Sequence, residues 1–175
     1  MVLGLRDYIR KNRFKKAALG ISGGIDSAVV AALAADALGP DSVIGVALPG
    51  PFSSPRSLRD AKKLAENLGI EFRTRPIVKA YRNFVGSGSR SKVTLAMENL
   101  QARLRGLELM YLSNDEGVIL VTTGNKSELA MGYTTLYGDM CGGLSVIGDV
   151  YKTDVYRLAR YRNSISKVIP ESIIR

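Results

Sequence analysis

The chain has 175 residues, which fits one domain large enough for a substantial hydrophobic core. With one cysteine and no histidine, it can form no internal disulfide, no Cys/His zinc site and no histidine-based catalytic triad. Its 25 basic and 16 acidic residues give a net charge of +9, but the basic residues are scattered, so we expect no dedicated nucleic-acid surface.

Residues 1–16 predict a covering helix. Apolar side chains at Val2, Leu5, Tyr8 and Ile9 recur at helical spacing. This segment has no signal-peptide pattern, and no apolar run in the chain approaches the roughly 20 residues that span a bilayer. We therefore expect a cytoplasmic protein that does not associate with membranes.

The next stretch predicts a strand, an anion-binding loop and a helix. Ala17–Ile21 is a short apolar run of the kind buried in parallel sheets. Gly23 and Gly24 allow backbone N–H groups to approach a ligand closely, and the helix that starts at Asp26 ends at Gly39. Because a helix N-terminus attracts anions, the predicted ligand is a phosphate group.

The loop sequence narrows the type of phosphate site. No lysine follows Gly24, which excludes the Walker pattern, and the Rossmann pattern Gly-x-Gly-x-x-Gly is absent. What remains resembles the pyrophosphate loop of the ATP pyrophosphatases, enzymes that split ATP between its α and β phosphates. The residues of this loop are Ser22, Gly23, Gly24, Ile25, Asp26 and Ser27. The alternative is a tight turn in which a serine or an aspartate caps the helix.

Strands and helices continue to alternate after this unit. Val43–Leu48 predicts a second buried strand, Ser57 caps a helix that ends at Leu68, and Ile70–Pro76 predicts a third strand. This order predicts an α/β fold, a doubly wound parallel sheet with helices on both faces. Ligands of such sheets bind beyond the carboxyl ends of the strands, where the first loop lies.

The middle of the chain predicts a loop and a long helix. Residues 81–92 are less regular, and the glycines and serines of 86–90 indicate a flexible loop. The helix covers Leu95–Ser113. We assign its core stripe to Leu100, Leu104, Leu107 and Tyr111. Three further apolar residues lie off this stripe and suggest a partner helix, namely Leu109, Met110 and Leu112.

Asn99 and Arg103 lie four residues apart on another face of this helix, where they either face solvent or contact a ligand. A fourth strand, Gly117–Val121, then leads to a polar turn. In it, Thr123 and Glu128 would lie near the sheet edge that carries Asp26. Two carboxylates there can hold Mg²⁺ on phosphate oxygens, or Glu128 only caps the next helix.

The last part of the chain predicts a contact loop and a final helix. Residues 131–148 are rich in glycine, threonine and tyrosine, and we assign no reactivity to Cys141 within them. Asp149 would cap the helix, with Lys152 in its first turn. A lysine there opposes the helix dipole, so it is costly unless an anion compensates its charge.

Five motifs in chain order carry a family resemblance. They are Ser22–Ser27, Glu98–Arg103, Thr123–Glu128, Tyr137–Asp139 and Val150–Thr153. Through them the chain resembles the synthetase domain of NAD⁺ synthetases over nearly its whole length. It looks closest to the domain at the C-terminus of glutamine-dependent bacterial forms. This resemblance implies an adenine nucleotide alpha hydrolase-like, Rossmann-like fold formed by residues 1–175 as one domain.

The resemblance also implies site residues and a reaction. The family makes NAD⁺ from nicotinic acid adenine dinucleotide, ATP and ammonia, with Mg²⁺. Lys152 would face the reacting phosphate, Asp26 and Glu128 would hold the metal, and Asp139 would face the nicotinate end. Asn99 and Arg103 would bind the dinucleotide, with Glu128 also near it. The ATP-binding residues would be Gly20, Ile21, Ser22, Gly23, Gly24, Ile25, Asp26, Ser27 and Thr123.

The mechanism implied by the resemblance suits a chain without histidine. The substrate carboxylate attacks the α-phosphorus itself, and carboxylates, lysines and backbone amides position the phosphates and neutralise their charge. Ammonia would be free or come from a glutamine-hydrolysing domain or subunit, and the family is commonly dimeric.

Three departures from the family pattern accompany the resemblance. The family's C-terminal tail, with its Pro-Ser/Thr-Ala-Glu-Leu motif, would lie beyond Arg175. Pro51 and Phe52 replace a basic or polar residue followed by Tyr or Thr. We also expect no glutamine-hydrolysing domain before Met1. The alternatives are another ATP pyrophosphatase amide ligase or a nucleotide-binding module without turnover.

Overall fold

The computed structural model describes residues 1–86 and 93–175. Most of the loop predicted at residues 86–90 falls outside them. The helices are α1 Val2–Lys11, α2 Ile25–Leu38, α3 Pro55–Leu68, α4 Val78–Val85, α5 Leu95–Glu116, α6 Lys126–Met131, α7 Lys152–Ile165 and α8 Glu171–Ile174, with a 3₁₀ turn at Pro40–Ser42. The strands are β1 Ala17–Gly20, β2 Val43–Ala47, β3 Glu71–Thr74, β4 Ile119–Thr122 and β5 Leu144–Ser145.

The five strands form one parallel sheet in the order β3-β2-β1-β4-β5. Strand β1 lies at its centre and pairs with β2 from Ala17 opposite Val43 to Gly20 opposite Val46. The chain reverses direction across the sheet between β1 and β4, which creates the switch point where such sheets bind ligands. The predicted doubly wound α/β fold is confirmed.

Alternate residues of the central strands pack on opposite faces of the sheet. Ala17 and Leu19 belong to a core formed with α1, α2, α3, α7 and α8. Ala18 belongs to a second core on the other face, formed with α4 and α5. Both faces are therefore covered, as the uninterrupted apolar strands require. Among the described residues, no helix combines the length and apolar character needed to cross a bilayer.

The core stripe predicted for α5 is partly wrong. Leu104 is buried, but Leu107 is 67% exposed and Tyr111 is 58% exposed. Leu109, Met110 and Leu112 instead pack in the second core, with Leu112 fully buried, so the expectation that they contact a partner helix is also wrong. The buried stripe is not apparent from apolar spacing because it includes polar positions. Gln101 is one of them, and it is buried and donates to the Met97 carbonyl oxygen at 3.5 Å.

Several local predictions also need correction. Helix α3 is capped by Ser54, which accepts from the Ser57 N–H, because Pro55 suits the first helical position and needs no N–H acceptor. Helix α7 follows Tyr151, so Asp149 does not cap it. The predicted contact loop contains β5, and the segment predicted as irregular overlaps α4.

Candidate active site

Hydrogen bonds made by Ser22 and Ser27 fix the conformation of the loop after β1. The Ser27 hydroxyl donates to the Gly24 carbonyl oxygen at 3.0 Å, and the Gly24 N–H donates to Ser22 Oγ at 3.2 Å. Gly23 has φ +81°, and a Cβ there would lie 2.4 Å from the Ser57 carbonyl oxygen. Only glycine fits this position, because both the backbone angle and the close approach of α3 exclude a side chain.

Asp26, Glu128 and Lys152 meet at the carboxyl edge of the sheet. Asp26 Oδ1 accepts from Asn125 Nδ2 at 3.0 Å, and the other Asp26 oxygen pairs with Lys152 Nζ. Glu128 Oε2 accepts from the Asn125 backbone N–H at 3.1 Å. The predicted proximity of the two acids is therefore confirmed, since both contact the same residue.

Lys152 is the first residue of α7, where its charge opposes the helix dipole. Its backbone N–H donates to Ser127 Oγ at 3.0 Å, which ties α7 to α6. Its ammonium group faces Asp26 and lies 5.9 Å from the Tyr156 ring centroid. Asp26 is thus an anion that compensates the cost of a lysine at this position.

A cavity of about 870 Å³ opens beside this cluster, lined by the ends of β1, β2 and β4 and by the 134–145 segment. Its size and mixed apolar and polar lining suit a nucleotide-sized ligand. The predicted site residues in its wall are Gly20, Ile21, Ser22, Asp26, Ser27, Thr123, Glu128 and Asp139. Gly23, Gly24, Ile25 and Lys152 do not line the cavity themselves. The first three lie in the chain between Ser22 and Asp26, which line it, and Lys152 contacts Asp26.

The side chain of Ile25 does not face the cavity. It is 5% exposed and belongs, with the other apolar residues of α2, to the core that contains Ala17 and Leu19. At this position only the backbone at the helix start is available to a ligand.

Asn99, Arg103 and Asp139 converge on a different feature, the turn at Thr135–Leu136. Asn99 Oδ1 accepts from Thr135 Oγ1 at 3.0 Å, and Arg103 Nε donates to the Leu136 carbonyl oxygen at 3.1 Å. Asp139 Oδ1 accepts from the Thr135 N–H at 2.8 Å. Asp139 also lines the cavity, whereas Asn99 and Arg103 do not. The three residues therefore support the 134–145 segment, which lines the cavity.

Two polar residues of the site were missed in the sequence. The sequence pattern places Asn125 only in a polar turn. In the structure it is the N-cap of α6, which fits its position three residues before Glu128. Arg105 lines the cavity and donates to the Leu48 carbonyl oxygen at 3.0 Å. Burial lowers the pKa of Arg105, and no carboxylate among the described residues pairs with it.

Cys141 also lines the cavity. Burial and the nearby Asp139 charge raise the pKa of its thiol. A raised pKa disfavours the thiolate, which is the nucleophilic form of cysteine.

The acids fit a hard cation that shares its ligands with a substrate. In residues 1–86 and 93–175 no three His, Cys, Asp or Glu side chains group as a metal site. Asn125 contacts only one carboxylate oxygen of each acid, and the second Asp26 oxygen pairs with Lys152, which would give it up to a cation. Mg²⁺ commonly binds through one or two carboxylates together with substrate phosphates, so this donor set is compatible with it.

Comparison with known proteins shows which family this chain belongs to. The NAD synthase family model matches residues 1–175. The chain belongs to the NAD synthase family. A relative from Aquifex aeolicus, a glutamine-dependent NAD(+) synthetase, is 55% identical over 177 residues, covering 99% of this chain and 31% of that protein. The chain therefore spans about a third of the length of the curated relatives it matches.

Two solved structures extend this family assignment. Glutamine-dependent NAD+ synthetase from Acinetobacter baumannii, in complex with ADP, matches with a TM-score of 0.92 and 46% identity over 99% of this chain and 34% of its own. NMN synthetase from Francisella tularensis matches with a TM-score of 0.88 and 32% identity over 99% of this chain and 70% of its own. NAD synthase relatives thus share this fold while their names give different products.

Proposed function

We propose that this NAD synthase domain, residues 1–175, converts nicotinic acid adenine dinucleotide to NAD⁺, with ATP as co-substrate and ammonia as nitrogen donor. The observation that carries the proposal is the meeting of the glycine loop, Asp26, Glu128 and Lys152 at one wall of the cavity. A nucleotide in the Acinetobacter baumannii relative, which was solved with ADP, supports ATP as a ligand.

The reaction has two steps. A substrate carboxylate oxygen attacks the α-phosphorus of ATP, and the bond to the bridging oxygen breaks to release pyrophosphate. Ammonia then attacks the acyl carbon of the adenylate, the nitrogen loses one proton to solvent, and AMP leaves with one oxygen of the original carboxylate. The nucleophile in the first step is already an anion, so this step needs no protein base. A chain without histidine can therefore support it.

The loop and the cation cluster would act on the phosphates. In this proposal the loop Gly20–Ser27 encloses the triphosphate, with the backbone N–H groups of the first turn of α2 as donors, and Thr123 contacts the nucleotide. Lys152 exchanges its contact with Asp26 for the reacting phosphate, where it neutralises charge that develops on the leaving group. Asp26 and Glu128 would hold Mg²⁺, which, when bound, supplies positive charge to the phosphate oxygens.

The wall formed by the 134–145 segment would bind the second substrate. We propose that Asn99 and Arg103 bind the dinucleotide, with Glu128 also near it and Asp139 at the nicotinate end. Their contacts to the Thr135–Leu136 turn support this, because these contacts attach Asn99 and Arg103 to the segment that lines the cavity.

We also propose an ammonia source, a cellular location and an oligomeric state for this protein. Ammonia would be free or supplied by a glutamine-hydrolysing domain or subunit, as the glutamine dependence named for the Aquifex aeolicus relative suggests. We propose a cytoplasmic location because the reaction consumes ATP. We also propose a homodimer formed through the outer face of α5, where Leu107 and Tyr111 are exposed apolar side chains.

The direct experiment supplies the purified chain with ATP, Mg²⁺, ammonium and the dinucleotide acid. NAD⁺, AMP and pyrophosphate should appear in equal amounts, and none should form when the dinucleotide acid is omitted. Asp26→Asn should reduce the rate by about 10²-fold or more, since it removes one of the two acids of the cluster. ATP binding without any pyrophosphate release would instead favour a nucleotide-binding module without turnover.

A second candidate substrate comes from the 32% identity to an NMN synthetase. The corresponding reaction would amidate nicotinic acid mononucleotide. Parallel assays with the two acids separate these candidates through the ratio of kcat/KM. We expect the dinucleotide to be preferred, because the NAD(+) synthetase relative is 55% identical. A preference for the mononucleotide would favour the second candidate.

A further inference from the structure

The buried Asn125 side chain connects the two acids of the site. Asn125 lies between β4 and α6 and is 0% exposed. Its Nδ2 donates to Asp26 Oδ1 at 3.0 Å, while its Oδ1 accepts from the Glu128 backbone N–H at 3.0 Å. Its own backbone N–H donates to Glu128 Oε2 at 3.1 Å. One residue therefore contacts a carboxylate from α2 and a carboxylate from α6.

These contacts require a side chain that donates on one side and accepts on the other. Asparagine does so with one amide group, and the opposite amide orientation would place its oxygen against the Asp26 carboxylate. Aspartate would present an acceptor to Asp26, and alanine would leave buried polar groups without partners. Because Asn125 is inaccessible to solvent, water cannot replace the lost contact at its side chain.

The cap of α6 alone does not explain this choice of residue. Asn, Asp and Ser are about equally good at the N-cap position, so several side chains could accept from the Glu128 N–H. Only the contact to Asp26 selects an amide. The two tasks of Asn125 can therefore be separated by substitution.

We propose that Asn125 is the positioning residue of the active site. It holds one oxygen of Asp26 and one of Glu128, which leaves the second oxygen of each carboxylate at the cavity wall for Lys152 and an incoming cation. The use of these oxygens rests on the proposed function. The orientation of Asp26 by Asn125 does not, since it is a property of the fold.

A double-mutant cycle in urea tests the orientation without any substrate. The four proteins are the unsubstituted chain, Asp26→Asn, Asn125→Asp, and the double variant that exchanges the two residues. Asn125→Asp should lower the folding equilibrium constant by about tenfold. In the double variant a donor again faces an acceptor. Its folding equilibrium constant should therefore be at least about fivefold larger than the product of the two single-variant effects predicts.

A second measurement separates positioning from stability alone. Calorimetric titration with ATP, with and without Mg²⁺, gives the gain in ATP affinity that Mg²⁺ provides. Asn125→Asp should reduce this gain by about tenfold, and in the assay it should lower kcat more than it raises the KM for ATP. The matched control is Asn163→Asp, because Asn163 also uses its amide to donate to a carbonyl and to accept from backbone N–H groups, but at Val168–Ile169 away from the cavity. Asn163→Asp should lose stability and keep the Mg²⁺ gain.

Each outcome decides the proposal. Additive effects in the cycle, or a Mg²⁺ gain unchanged in Asn125→Asp, would overturn it. If Asn125→Asp does not fold, a folded exchange variant supports the coupling and an unfolded one contradicts it. An unsubstituted chain that makes no NAD⁺ would contradict the proposed function and leave the urea cycle to decide the role of Asn125.

Discussion

Lys152 is the single residue whose chemistry follows most directly from its position. At the start of α7 its charge is unfavourable, and the Asp26 carboxylate compensates it. A phosphate ligand would offer the same compensation and would add it at the reacting centre. A lysine that is unfavourable at a helix start is therefore favourable there if the site binds a phosphate group.

Lys152→Met should therefore impair the chemical step. We expect kcat to fall by about 10²-fold with a smaller change in the KM for ATP, because the ammonium group acts on charge that develops in the transition state. Steady-state pyrophosphate release measures both constants. Lys62→Met, a lysine exposed on α3, is the matched control and should keep the activity of the unsubstituted chain. A variant at Lys152 with unchanged kcat would remove the lysine from the proposed mechanism.

Some residues of the candidate site could be predicted from the sequence, and others could not. Asp26, Glu128 and Lys152 could be placed together because each follows the end of a strand or opens a helix near one sheet edge. Asn125 and Arg105 could not, because their importance depends on burial and on partners distant in the chain. Asn99 and Arg103 could be placed on one helix face, but their contact with the Thr135–Leu136 turn depends on tertiary packing.

Among the elements, strands β1 to β4 were predictable from the sequence, whereas strand β5 and the buried face of α5 were not. Strands β1, β2 and β4 are continuous apolar runs, which is the pattern of strands covered on both faces. Helix α5 carries apolar residues on more than one face, so its sequence alone does not determine which face is buried. Strand β5 has two residues and exists through its pairing with β4, which no local pattern indicates.

The edge strand β3 is joined to the end of α5 by an ion pair. Arg73 Nη2 donates to Glu116 Oε2 at 3.0 Å, and Arg73 Nε donates to Glu71 Oε1 at 2.6 Å. The hydrogen bond from Arg73 lowers the pKa of Glu116, and the bond to Glu116 raises the pKa of Arg73. A lowered native pKa means that the pair stabilises the fold above the ordinary glutamate pKa of 4.5 and loses this effect as the pH falls through the native value.

We predict the pH dependence of Glu116→Gln from this shift. The free energy of unfolding of the unsubstituted chain should exceed that of the variant at pH 7, by less than about 1 kcal/mol because the pair is partly exposed. The difference should shrink as the pH is lowered below 4.5. Urea unfolding across this range measures it, with Glu98→Gln at the other end of α5 as the baseline. A difference that grows on acidification would contradict the assignment.

At the scale of the whole molecule, the exposed face of α5 suggests how two copies would meet. Leu107 and Tyr111 are 67% and 58% exposed, although they lie on a helix that otherwise covers the sheet. We expect light scattering at micromolar concentration to give the mass of a dimer. Leu107→Glu should shift it to the monomer, because it places a charge in the apolar contact.

Leu3→Glu is the control for this test, since Leu3 is 66% exposed on α1 and lies on the other side of the sheet. It should leave the mass unchanged. A monomeric unsubstituted chain, or a dimer that persists in Leu107→Glu, would contradict the dimer interface on α5.

The whole account depends on a carboxylate being activated by adenylation in one cavity of this fold. The most direct measurement uses nicotinic acid adenine dinucleotide with ¹⁸O in both carboxylate oxygens, together with ATP, Mg²⁺ and ammonium. Mass spectrometry should find one ¹⁸O atom in AMP and one in the amide of NAD⁺. Unlabelled AMP, or label in pyrophosphate, would contradict attack of the carboxylate on the α-phosphorus.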